Sequence, residues 1–185
     1  MRLKEPRIAP LGDAEMTEDQ KEAVKPFGNR VLNIFRTLAH APKALTRFNE
    51  WGGYILSRRN DLPPREREIV ILRTGFLCKS GYEWTQHVAI GKREGLTDDE
   101  IARIKQGAGA GWSPADAALI KASDELHADQ FITDATWKDL GAHFTQKQCM
   151  DVVFTAAQYT QVSMFLNTFG VQLDAGLTLD PDLKA

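Results

Sequence analysis

Glu68, Ser80, Glu83 and His87 have the residue types and spacing that suit acid–base chemistry. A helix advances by about 100° per residue, so from Ser80 the next acid, Glu83, falls about 60° to one side and His87 about 20° to the same side. All three share one stripe if the helix is continuous through them. Glu83 and His87 form an i,i+4 pair within contact distance. A carboxylate beside an imidazole fixes its tautomer and raises its basicity, which suits proton transfer near neutral pH. Glu68 heads the apolar run Ile69 to Leu72 and reads as buried. A carboxylate there needs a partner, for which Arg73 or another basic residue is a candidate; without one, burial raises its pKa. The same Glu–His spacing is also common on solvated helix faces, and Tyr82 and Trp84 are more often packing aromatics than substrate contacts.

These residues must be positioned by helices. Asn60-Asp61-Leu62-Pro63-Pro64 is a helix start, and REREIVILRTGFLCK runs on from it with a middle that is apolar on all sides, the mark of a central, buried helix. SGYEWTQHVAIGKREG reads as the next helix, ending at Gly95. Upstream, Thr17-x-x-Gln20 is a capping-box pattern for a short helix interrupted by Pro26 and Gly28. Helical spacing then runs from Asn29 to Ala39, and Pro42 opens PKALTRFNEWGGYILSR. Its paired Gly52 and Gly53 suggest close packing of a neighbouring helix, with approach of a ligand to the backbone as the alternative. Downstream, Thr97, Ser113-Pro114, Thr133 and Thr145 open four more helices, the last closed by Gly170. No alternating strand pattern of useful length occurs, so the expected class is all-α. Residues 1–16 read as an N-terminal arm, 17–170 as one helical domain, and 171–185 as a partly extended, peripheral tail.

Composition narrows the function. The chain has 185 residues, 43% hydrophobic and 26% charged, the balance of one globular domain. A formal net charge of -2 gives no basic excess for nucleic acid. No apolar run approaches the ~20 residues that span a bilayer, and MRLKEPRIAP lacks the apolar stretch of a signal peptide. The cytoplasm is the expected location, with no membrane partner. Cys78 and Cys149 form no CxxC, and the four histidines show no paired metal spacing, so neither a metal nor a cofactor is expected. Glu83 and His87 could be two metal ligands, but no third is visible.

The stretch from Arg65 to Lys105, ReREIviLRtgflCksgYEWtqHvaigkreGLtddEIariK, resembles the carboxymuconolactone decarboxylase family, which includes the alkylhydroperoxidase D-like proteins. The family pattern is a Glu on one helix, a CxxC opening the next, and a His four residues after the second Cys. Glu68 and His87 match that Glu and His, whereas Ser80 and Glu83 fall where the redox cysteines would be. GLTDDEIARI and the long helix containing AAQYTQVSMFLNTFG resemble later family helices, extending the likeness from about Phe35 to Gly170. The resemblance implies an alkylhydroperoxidase D-like helical bundle that forms homo-oligomers, often trimers or hexamers, with a dimer as the smaller alternative. Its decarboxylase branch also lacks the redox pair and works by acid–base chemistry on a lactone carboxylate.

Three readings follow. The first is a cofactor-free lyase, isomerase or hydrolase acting on a small lactone or carboxylic acid from aromatic breakdown. There His87 moves the proton, Glu83 orients it, Glu68 completes the relay, and Ser80, Tyr82, Cys78 and Asn167 are candidate substrate contacts. The second is a thiol peroxidase using Cys78, which is disfavoured without a partner cysteine. The third is a non-catalytic ligand-binding helical oligomer. Phe35, Phe48, Trp51, Tyr54, Phe154, Tyr159 and Phe165 either fill the core or supply apolar surface for subunit contact.

Overall fold

The computed structural model describes residues 1–184, and helices with their connecting turns account for its architecture. Nine α-helices follow in order: α1 (Glu18–Val24), α2 (Asn33–Leu38), α3 (Pro42–Ile55), α4 (Pro64–Leu77), α5 (Gly81–Arg93), α6 (Asp98–Gln106), α7 (Pro114–Asp129), α8 (Asp134–Gly141) and α9 (Gln146–Phe169). No strand occurs among the described residues. No helix is long and apolar enough to cross a membrane.

The punctuation is local chemistry. Hydroxyls of Thr17, Thr97, Ser113, Thr133 and Thr145 each accept a hydrogen bond from the backbone N–H three residues on, satisfying a donor that the first helical turn leaves free. Prolines open α3, α4 and α7. The second helix is shorter than its periodicity suggests, because Leu32 is extended and serves as the N-cap. The third stops at Ile55 rather than Arg58, where the Ser57 hydroxyl turns back to the Tyr54 carbonyl.

Helix α4 forms the centre. Ile69, Val70, Ile71 and Leu72 are all fully buried, which requires neighbours on every side. It packs against α5, α7 and α9, with α6 closing a further flank. Its C-terminus is a Schellman turn: the Lys79 N–H donates to Phe76 O and the Ser80 N–H to Gly75 O, both at 2.9 Å. Lys79 occupies the left-handed position of that turn, with φ 51°, where glycine is usual. The chain reverses there and lays α5 back along α4.

Close approach of α4 and α5 depends on Gly91. A Cβ at Gly91 would sit 2.9 Å from Leu96 Cδ1, 3.4 Å from Leu72 Cδ1 and 3.7 Å from Glu68 Cβ. Gly91 lies one turn beyond His87, so it sets the spacing of the helices where their charged groups meet. Gly91→Val is expected to lower stability by about 1–3 kcal/mol through overpacking. A denaturation midpoint equal to that of the parent would show that the α4–α5 spacing tolerates the added side chain.

The termini depart from expectation. The 171–184 segment is not peripheral, for Val171 and Leu183 are buried. Its Asp174 accepts hydrogen bonds from Tyr82 and Gln86, and its Asp180 from Trp84 and Lys105. The arm is also tied down: the Arg7 N–H donates to Phe169 O at 2.9 Å, and Met16 is buried. The tail supplies the acids that pair with the polar tips of two otherwise buried α5 side chains, Tyr82 and Trp84, and with the half-buried Gln86.

Gly52 and Gly53 are not packing glycines. A Cβ at Gly52 would meet only Gln158 Nε2, at the ordinary contact distance of 3.8 Å, and one at Gly53 would have nothing within 4 Å. No neighbouring helix backbone presses against either position.

Candidate active site

The first turns of α5 divide their side chains among three faces. Tyr82 and Gln86, four apart, turn to Asp174. Trp84 turns to Asp180 and Lys105. Glu83 and His87, also four apart, turn inward. Gly75 of α4 leaves room for that inward face, since a Cβ there would lie 3.4 Å from Glu83 Cγ.

The imidazole is held at both nitrogens. His87 Nδ1 is 2.7 Å from Glu68 Oε2, and His87 Nε2 is 2.9 Å from Glu83 Oε1. The three are buried, with exposures of 1% for Glu68, 5% for Glu83 and 6% for His87. An ionised carboxylate only accepts hydrogen bonds, so two such partners are satisfied together when both ring nitrogens carry protons. Burial alone pushes the imidazole pKa down. The Glu68 and Glu83 charges and their hydrogen bonds outweigh it and carry the pKa up to about 10. The group at rest near neutral pH is therefore imidazolium, a proton donor clamped between two acceptors.

Tyr159 of α9 packs its ring against His87, with centroids 4.9 Å apart and planes at 83°. Burial first, and then the neighbouring Glu83 and Glu68 charges, push its phenol well above the ordinary range, so the hydroxyl keeps its proton. Arg67, one residue before Glu68, acts on the same phenol in the opposite direction.

The other site residues expected from sequence are dispersed. Arg73 does not pair with Glu68; it binds Asp124 and the carbonyls of Ile104 and Lys105. Ser80 is fully buried but lies at the N-cap, just outside the helix, so the continuous stripe begins after it. Its hydroxyl has no hydrogen-bond partner among the described residues. Tyr82 is spent on Asp174, and burial first, with that contact second, holds its phenol up. Cys78 is the C-cap of α4, with Sγ 3.6 Å from His127 Nδ1 and its carbonyl accepting from Asn167 Nδ2 at 2.9 Å. Cys78 and Asn167 thus assemble with each other and with His127, and neither has a hydrogen bond to the Glu68–His87–Glu83 group. Among the described residues, no three His, Cys, Asp or Glu side chains are grouped to hold a metal ion.

Sequence reasoning passed over Arg67, Gln158 and the phenol of Tyr159. Arg67 stands four residues before Ile71, on the same face of α4, and that spacing was available to be read. Gln158 and Tyr159 are reached only through the packing of α9 on α4.

Residues 42–125, which include Glu68, Glu83 and His87, match the model of the Carboxymuconolactone decarboxylase family. No curated protein matches the chain. A similar solved structure is an alkylhydroperoxidase AhpD core, an uncharacterized peroxidase-related protein from Ralstonia eutropha JMP134. It is 20% identical, with 91% of this chain and 93% of that chain covered and a TM-score of 0.76. A peroxidase-related protein from Silicibacter sp. TM1040 is 15% identical over 94% of this chain and 92% of its own, at a TM-score of 0.73. The debrominase Bmp8, in complex with 2,3,4-tribromopyrrole, is 10% identical over 93% of this chain and 94% of its own, also at 0.73. At such identities the likeness concerns the fold. Across the helices that carry the clamped imidazole, residues 42–125, the chain is thus similar to the carboxymuconolactone decarboxylase family, on a helical frame like that of AhpD-like structures.

Proposed function

We propose that the protein is a cofactor-free acid–base enzyme acting on a small lactone or carboxylic acid of the kind formed in aromatic breakdown. The observation that carries this reading is the buried imidazolium shared between Glu68 and Glu83. Glu68 anchors Nδ1 and fixes the ring. The Nε2 proton is the mobile one, and Glu83 stands beside it as acceptor. The roles expected from sequence are thereby redistributed, with Glu68 orienting and Glu83 and His87 forming the working pair.

In a decarboxylation, the bond from the reacting carbon to the carboxylate breaks, and CO2 leaves. The electron pair stays on the carbon, spread into the substrate's own carbonyl as an enolate. His87 then delivers its Nε2 proton to that carbon, and solvent restores the imidazolium. In an isomerisation, Glu83 takes a proton from one carbon and His87 gives one to another. Both routes need only orientation and a positioned proton. The test is a screen of lactones and carboxymuconate-type acids, with product protonation followed in deuterated water. If no acid or lactone is converted and no solvent deuterium is incorporated, the reading falls.

We assign the working form to a cytoplasmic homo-oligomer, a trimer or hexamer, or the smaller dimer. Large apolar side chains exposed on α3 and α9, Trp51 at 41% and Met164 at 60%, support subunit contact.

The Cys78–His127 contact supports a second reading, thiol attack on a peroxide. The thiol would lose its proton to His127, attack the O–O bond and become a sulfenic acid while an alcohol leaves. Burial pushes the Cys78 thiol up, against the smaller pull of Ser163, Thr160 and Arg2, which weighs against a resting thiolate. We therefore expect peroxide consumption by the parent to be no faster than by Cys78→Ser. Fast consumption that disappears in Cys78→Ser would put the thiol reading first.

A further inference from the structure

Helix α4 carries three arginines, and two of them have acids. Arg65 binds Asp116 and Glu100, and Arg73 binds Asp124. Arg67 has no acid partner among the described residues. It is 8% exposed, its Nε makes no hydrogen bond, and its one contact is a long one, Nη1 to Ser57 O at 3.3 Å. A buried guanidinium without a counter-ion is costly to fold around.

Other open polar groups share that region. Arg67 lies one turn before Ile71, which packs with Ile55 of α3 and Tyr159 of α9. Gln158, beside Tyr159 in the chain, is 4% exposed, and its Oε1 has no donor. Its amide nitrogen lies against Gly52 of α3, where the missing side chain leaves room. Among the described residues the Tyr159 hydroxyl makes no hydrogen bond, whereas those of Tyr54 and Tyr82 each donate to an aspartate. The Arg67 charge acts on the Tyr159 phenol, Gln158 precedes Tyr159 on α9 with its amide nitrogen against α3, and the Tyr159 ring packs against His87.

We propose that Arg67, Tyr159 and Gln158 form the substrate-binding half of the site and take a small hydroxylated carboxylate. Arg67 and the Tyr159 O–H donate to the carboxylate, and the Gln158 oxygen accepts from a hydroxyl on the same molecule. This inference rests on the acid–base reading above and names the substrate class for it. Arginine suits the role because its planar, permanently charged fork holds a carboxylate in a fixed orientation.

The test is calorimetric binding of 4-hydroxybenzoate, and of the uncharged 4-hydroxybenzamide, to the full-length protein. The acid is expected to bind at least about tenfold more tightly than the amide, and Arg67→Gln to lose that preference. Arg67→Lys keeps the charge and is expected to keep part of the preference. Gln158→Leu is expected to bring 4-hydroxybenzoate down to the affinity of benzoate. Circular dichroism confirms that each variant is folded. Equal binding of acid and amide by the parent, no binding of the acid, or parent-like binding by folded Arg67→Gln would each overturn the proposal. Binding is measured without turnover. Arg67-dependent binding in a protein that converts no acid leaves this subsite standing and removes the acid–base enzyme, whereas turnover independent of Arg67 does the reverse.

Discussion

His87→Gln is expected to leave the helical fold in place and to reduce turnover by at least about a hundredfold, the low end for loss of a positioned general acid. The choice of glutamine matters. Alanine would leave Glu68 and Glu83 facing each other in a buried space with no cation between them, and two such carboxylates cannot both remain ionised. Loss of activity in that variant could reflect collapse of the site rather than loss of a proton donor. Glutamine keeps an N–H for one carboxylate and removes the transferable proton. Melting temperature and helical ellipticity report on the fold, and single-turnover rates on the chemistry. A folded His87→Gln protein that turns over at the parent's rate would falsify the assignment of His87 as the acid.

What the sequence could convey about this site follows from how local each contact is. The α4–α5 hairpin of helices is written in Pro63-Pro64, the apolar Ile69 to Leu72 and the closing Gly95, all features of short range. Within it, the i,i+4 pairing of Glu83 and His87 follows from helix geometry alone. Glu68 could be named through the family pattern, yet its partner could not: Arg73 is nearer in sequence, but Asp124, fifty-one residues on, satisfies it instead. A helical wheel also gives no sign that the two carboxylates take opposite nitrogens of one ring, because that depends on where α4 lies. The tail shows the same limit. Its residues carry no helical or strand period, and only the buried tips of Tyr82 and Trp84 reveal why Asp174 and Asp180 are needed. For Ser80 the condition of a continuous helix is not met, for a subtler reason: the left-handed Lys79 delays the helix by one residue, so an angle counted from Ser80 starts outside the helix.

The second large effect concerns pH and Glu68. In the folded protein the imidazole pKa stands at about 10, above its ordinary value near 6.5. The folded state thus holds a proton that the unfolded chain releases first. The resulting stabilisation is fully present below about pH 6.5, declines as pH rises, and is gone above about pH 10. Its size is several kcal/mol, at roughly 1.4 kcal/mol for each pH unit across that window. Glu68→Gln removes one of the two charges that raise the imidazole and leaves the ring buried. The variant is expected to be less stable than the parent by about 3–5 kcal/mol near neutral pH, the usual cost of breaking a buried pair. The gap should then narrow toward pH 10, where the parent's imidazole is also neutral. Other groups titrate in this range in both proteins, so the difference between the two unfolding curves isolates the His87 contribution. Kinetics should follow the same proton: the parent's turnover shows no histidine limb near pH 6.5 and falls only on the alkaline side, while in Glu68→Gln that fall moves toward neutrality. A stability gap of constant size from pH 7 to 10 would mean that the ring is neutral at rest, and the proton donor of the proposed reaction would have to be sought elsewhere.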